Sequence, residues 1–118
     1  MAHPASIFKI LRPAEWQAFD AAHRFEGSTD DIRDGFIHFS TLAQLSGTLS
    51  KHYAGEPEIE ILRVASAPLG DALRWEPSRQ GALFPHLYRP LLLDEVVERW
   101  TLRRGADGFD VGILGAGP

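Results

Sequence analysis

The stretch Gly35-Phe36-Ile37-His38-Phe39-Ser40-Thr41 sets an imidazole and two hydroxyls at the junction of a strand and a helix. Successive strand side chains alternate between faces, so Phe36, His38 and Ser40 share one face and Ile37 and Phe39 the other. With a reference pKa of about 6.5, His38 suits a general acid, a general base or a donor to a bound anion. A half-buried strand histidine satisfied by a backbone carbonyl is the plainer alternative. Ser40 favours the ligand reading, because it projects with His38 and the two can grip one molecule. Thr41 caps the helix that follows, and the amides of that first turn also suit an anion. Asp30, Asp31 and Asp34, just upstream, read as a solvated acidic turn that opposes a highly charged ligand.

Trp75-Glu76 and Phe84-Pro85-His86-Leu87-Tyr88 form a second group. An indole, a carboxylate, an imidazole and a phenol this close in sequence suit an aromatic-walled pocket with a few polar groups. The competing reading makes Trp75, Phe84 and Tyr88 core or core-edge residues and pairs Glu76 with Arg74 or Arg79 at the surface. His38, His52, His86 and Glu76 fall in no compact ligand motif such as H-E-x-x-H, so no metal site is expected. The glycine patterns of dinucleotide folds, P-loops and nucleophile elbows are missing, which disfavours Rossmann enzymes, P-loop NTPases and α/β-hydrolases.

Positioning these groups requires a run of short elements. Residues 7–11 read as a first strand, and Pro13 opens a helix to about Ala22 with Trp16, Phe19 and Ala22 or His23 on its buried stripe. Residues 26–35 are rich in turn formers and predict a loop. Thr41 and Gln44 have capping-box spacing ahead of a helix over 42–53, whose stripe is Leu42, Leu45, Leu49 and Tyr53 and whose stop is Gly55 with Pro57. Residues 59–65 and 73–76 are strands, with a turn at 67–71 between them and a mobile loop at 77–82 after them. Pro85 and Pro90 place residues 83–90 in an extended segment at a sheet edge or lining a cleft. Residues 96–103 form a last strand with one wet side, Val97, Arg99, Thr101 and Arg103. The glycine-rich tail, 105–118, is expected to be loosely held. The pattern is that of an α+β domain, a small and mainly antiparallel sheet with two main helices.

The chain has 118 residues, 44% hydrophobic and 24% charged, which fits one soluble globular domain. Twelve Lys and Arg against sixteen Asp and Glu leave a net charge of −4, with no general attraction to nucleic acid or anionic membranes. Arg99, Arg103 and Arg104 lack interleaved aromatics for base stacking and read as a solvated strand face. The absence of cysteine excludes disulfides, thiolate metal sites and cysteine nucleophiles. Neither a signal-peptide pattern nor an apolar run of the ~20 residues that cross a bilayer is present, so the expected location is cytoplasmic.

Taken together, the Ile7-Phe8-Lys9-Ile10 strand, Trp16, the Gly35 to Thr41 motif, Gln44, Tyr53, Leu73-Arg74-Trp75-Glu76 and Phe84-Pro85-His86-Leu87-Tyr88 resemble the bacterial family known as domain of unknown function 952. The resemblance runs from about Ile7 to about Trp100. That family's fold is considered similar to the ADP-ribosyltransferase superfamily, whose members use NAD. The resemblance implies a cleft for a nicotinamide nucleotide, with Ser40 and Thr41 near the nicotinamide ribose and Tyr53 or Tyr88 stacked on the ring. Glu76 is then the nearest candidate to stabilise the oxocarbenium-like state as nicotinamide leaves, with His38 and His86 as further catalytic candidates and Trp75 as a ligand contact. Lys9 stands on the strand where a His or Arg holds the dinucleotide in the superfamily. It is a ligand contact by position and a departure from the pattern by type. Three functions follow: a small transferase or hydrolase acting on NAD or an ADP-ribose-like ligand, a binding module without turnover, or a protein-interaction domain using residues 84–88.

Overall fold

The computed structural model describes residues 3–78 and 81–115. Strand β1 (Ser6–Leu11) is apolar on both faces from Ile7 onward except at Lys9, and such a strand belongs in the interior. It pairs antiparallel with β4 (Glu58–Ala65), which pairs with β8 (Val96–Arg103). Alternation then divides the interior in two. Ile7 and Leu11 of β1 join Leu62 and Val64 of β4 in one core, with Phe19, Phe25, Ile37 and Leu87. Phe8 and Ile10 join Ile59 and Ile61 in the other, with Leu45, Leu49 and Leu114. Val97, Arg99, Thr101 and Arg103 of β8 are exposed, which is the expected wet side.

A second sheet has the order β3 (Ile37–His38), β6 (Leu83–Leu87), β5 (Leu73–Pro77), all antiparallel. The 83–90 segment is therefore not an edge, because β6 is the middle strand. Proline is tolerated there because β3 ends at His38: the Pro85 carbonyl accepts from the Phe39 N–H at 3.0 Å, beyond the last ladder pair, where a donor is not needed. The Gly35 to Thr41 segment alternates as expected, with Ile37 and Phe39 in the first core. Only Ile37–His38 is regular strand, and Ser40 instead bridges to Phe8 through N–H···O bonds of 2.8 and 2.9 Å. That bridge joins the two sheets. A short ladder of β2 (Arg24–Phe25) with β7 (Leu91–Leu92) was not anticipated from sequence.

Helix α1 (Pro13–Ala22) has the expected bounds, but Ala22 and His23 are exposed and His23 ends the helix in the left-handed conformation, φ 63°. The 26–35 loop contains a helix, α2 (Thr29–Asp34), capped by Ser28 and stopped by Gly35 at φ 87°. The 42–53 helix begins as a 3-10 turn, Leu42–Gln44, and continues as α3 (Leu45–His52). Gln44 Oε1 accepts from the Thr41 N–H at 3.0 Å, whereas the Thr41 hydroxyl makes no cap bond, so half of the expected capping box forms. The tail folds back as well: α4 (Gly112–Gly115) buries Leu114 in the second core beside Phe109 and Val111. Two main helices thus become several short ones. The mobile loop expected at 77–82 includes residues 79–80, outside the described residues. Among the described residues no helix is long and apolar enough to cross a membrane.

Candidate functional site

Lys9 projects from β1 toward the first core and is 3% exposed, a position in which a lone ammonium is costly. It donates to Asp31 at 3.0 Å and to the His38 carbonyl at 3.0 Å. Asp31 is equally buried and reaches Lys9 from the third position of α2. A reciprocal pair of bonds holds it there: Asp31 Oδ2 accepts from the Ser28 N–H at 2.9 Å, and Ser28 Oγ accepts from the Asp31 N–H at 3.3 Å. Burial pushes the Asp31 carboxyl up, but the His38 hydrogen bond, the Lys9 charge and the Ser28 amide outweigh it and hold it well below the usual carboxylate range. The acidic turn is thus an anchor in Asp31 and a solvated rim in Asp30. The Ser28-x-x-Asp31 spacing was the sequence signal for this, and a Ser-to-Asp capping box is how it is read.

His38 is clamped by the same carboxylates. Its Nδ1–H donates to Asp31 Oδ1 at 2.6 Å, its N–H donates to the same oxygen at 3.1 Å, and its Nε2 lies 3.0 Å from Asp34 Oδ2. Directly opposite on β6 stands His86. Its Nδ1–H donates to Glu76 Oε1 at 2.8 Å, and the Tyr88 hydroxyl donates to the same oxygen at 2.7 Å. Phe36 stacks on the His86 ring at 4.0 Å and tilts against His38 at 4.6 Å and Tyr88 at 5.2 Å. Burial lowers the His86 pKa against the opposing pull of Glu76. The Tyr88 and His86 hydrogen bonds lower that of Glu76.

The two groups read from sequence therefore meet at one place, but they do not all face the same space. A cleft of about 660 Å³ lies where β1 meets β3 and β6, and Lys9, His38, Ser40, Tyr53 and His86 line it. Thr41, Trp75, Glu76 and Tyr88 do not. Glu76 and Tyr88 stand behind His86, and Trp75 packs on the first core with His3 stacked on it at 4.1 Å. Arg79, the alternative partner for Glu76, lies outside the described residues. The Ser40 hydroxyl is 3.1 Å from that of Thr48. Tyr53 lies under the Arg12 guanidinium at 4.8 Å, and burial pushes its phenol up to about 12.

Sequence reasoning passed over Arg12, Arg33, Thr48 and Lys51, which also line the cleft. Arg12 pairs with Glu56 at 3.0 Å and Arg33 with Asp34 at 3.0 Å, so most cleft charges are matched. Their signal was weak, since isolated polar residues on helices or at their starts usually face solvent. Among the described residues no group of three His, Asp or Glu side chains is arranged to hold a metal ion.

Fold and cleft together define a small α+β protein with mainly antiparallel sheets and a ligand-sized polar cleft. The family described as "Protein of unknown function (DUF952)" matches residues 10–99, and the chain belongs to it. It is similar to protein CC0527 from Caulobacter crescentus, whose X-ray crystal structure is 48% identical over 92% of this chain and 96% of that one, with a TM-score of 0.88. The solution NMR structure of the same protein gives a TM-score of 0.85 at 47% identity, over 96% of this chain and 98% of that one. No curated protein matches the chain.

Proposed function

We propose that the cleft binds NAD or an ADP-ribose-like nucleotide and that the protein is a small transferase or hydrolase acting on it. The observation that carries this reading is the convergence of His38, Ser40, Tyr53 and His86 on one cleft of about 660 Å³, within the usual size range of small-molecule sites. The resemblance to the ADP-ribosyltransferase superfamily implied by the sequence motifs supplies the ligand class. Ser40 then meets the nicotinamide ribose and Tyr53 the ring. Lys9 is neutralised by Asp31 and does not serve the phosphates. Lys51, a cleft cation with no carboxylate partner among the described residues, takes that place. Since Glu76 stands outside the lining and Asp31 is committed to Lys9, acid–base work in the cleft falls to histidine.

Thermal denaturation with NAD and with ADP-ribose tests the proposal. Binding stabilises the fold by about 2.7 kcal/mol at a hundredfold excess over Kd, and His38→Ala and Ser40→Ala lose that shift while keeping the circular dichroism of the parent. Absence of any shift with millimolar NAD and ADP-ribose overturns it. Release of nicotinamide marks turnover, and a retained shift without release leaves the binding module of the same cleft. The interaction-domain reading has less support, because Phe84, Pro85, His86 and Leu87 are buried in the middle strand.

A further inference from the structure

We infer that His86 is the proton acceptor of the cleft, its Nε2 taking a proton from a hydroxyl of the ligand while Glu76 positions the ring from behind. This rests on reading the cleft as a ligand site and adds which group acts and what the ligand must offer. The ring is 6% exposed, so its two nitrogens are fixed by what surrounds them. An ionised carboxylate only accepts, so the 2.8 Å contact commits Nδ1 to carry the proton toward Glu76. In the neutral ring that leaves Nε2 with a bare lone pair. Nε2 has no hydrogen-bond partner among the described residues, yet no buried side-chain polar atom among them lacks one. Nε2 is therefore an accessible atom, and the cleft is the space that His86 lines.

His38 cannot do this work, because Asp31 and Asp34 occupy both of its nitrogens. His38 is thus a clamped ring and His86 an open one, while His52, which also lines the cleft, already has a partner of its own. Phe36 stacked on His86 and Tyr88 bonded to Glu76 hold the open ring and its carboxylate in place. An unpaired acceptor selects a ligand with a donor, and a ribose hydroxyl of a nucleotide fits. In the step assigned here the ligand O–H bond breaks and an Nε2–H bond forms, with the electron pair left on the ligand oxygen. The imidazolium charge meets the Glu76 carboxylate, and return of the proton from Nε2 to that oxygen or to water restores the neutral ring.

Long-range ¹H–¹⁵N NMR of the histidine rings tests the assignment on the unmodified protein. The expected result at neutral pH is His86 in its Nδ1–H tautomer with Nε2 bare. Glu76→Gln removes the carboxylate that raises the His86 pKa, so the midpoint of the His86 titration moves to lower pH. Saturating NAD shifts the Nε2 resonance in the direction of a hydrogen-bonded nitrogen. A proton found on Nε2 at neutral pH, an unmoved midpoint in Glu76→Gln, or NAD bound with Nε2 unchanged would each overturn it. The tautomer and midpoint are read without ligand, so failure of NAD to bind removes the nucleotide reading and leaves these two measurements to decide the assignment of His86.

Discussion

Lys9 and Asp31 are the residues on which the site depends, because each is buried and each is unaffordable alone. Removing one partner of a buried pair typically costs about 3–5 kcal/mol, so Lys9→Met and Asp31→Asn should each destabilise by that order. The double variant should recover part of the loss, since no uncompensated charge remains; urea titration of the four proteins measures the coupling. Asp31 also gives the pair a pH signature. Its folded pKa lies below the ordinary value of 3.8, so its contribution is full above that value and is lost as pH falls toward the folded pKa. The stability gap between wild type and Asp31→Asn should therefore narrow on acidification below about pH 4. A gap independent of pH there would contradict this. His86 adds a slope of the same sign at higher pH: its folded pKa is below 6.5, so stability falls as pH drops through 6.5 toward that value.

Among the elements, α2 is the one the site could not do without and the one that local composition hid. Its only buried side chain is Asp31, and Ile32 is 67% exposed, so no apolar stripe announces it. A polar anchor replaces hydrophobic packing. Gly27 precedes it at φ +132°, where an added Cβ would lie 2.8 Å from that of Asp31. Gly27→Ala should thus combine backbone strain with displacement of Asp31, costing more than about 1 kcal/mol; faster amide exchange across α2 than across α1 would report where the damage falls. The tail gives the converse case, glycine-rich yet docked. Leu114→Ala should cost about 2–5 kcal/mol as a buried leucine does, and a loss within error in urea titration would show the tail to be dispensable. Boundaries of α1 and β8 were legible because capping residues and alternation are local, whereas the middle position of β6 was not, because Pro85 looks like an edge residue until the end of β3 is located.

At the scale of the molecule, β1 and β4 send alternate side chains into both cores, so neither core can be lost while the other keeps its walls. Unfolding should be a single transition, with far-UV and near-UV signals coincident and the calorimetric enthalpy equal to the van't Hoff value. Separate transitions would mean that the second core, with α3 and α4, melts independently. The cleft sits at the seam of the two sheets, where the Phe8–Ser40 bridge holds them. A ligand there touches both sheets and α2, so NAD binding, if the proposed function holds, should slow amide exchange on both sides of the seam.

Residue order alone carried the alternation of 36–40, the main strands, the first helix and the motifs that mark the family, because periodicity and capping act between residues a few positions apart. It also nominated the residues that approach one another, His38 and His86. It did not assign their partners. Lys9 meets Asp31 across 22 positions and His86 meets Glu76 across 10, and such encounters depend on how the sheets are ordered and which strand lies in the middle. Folding paired Lys9, which lines the cleft, with Asp31, and set Glu76 against His86 outside the lining. It set both ring nitrogens of His38 against carboxylates and Nδ1 of His86 against Glu76, because a buried carboxylate such as Asp31 must find its counterparts within the fold.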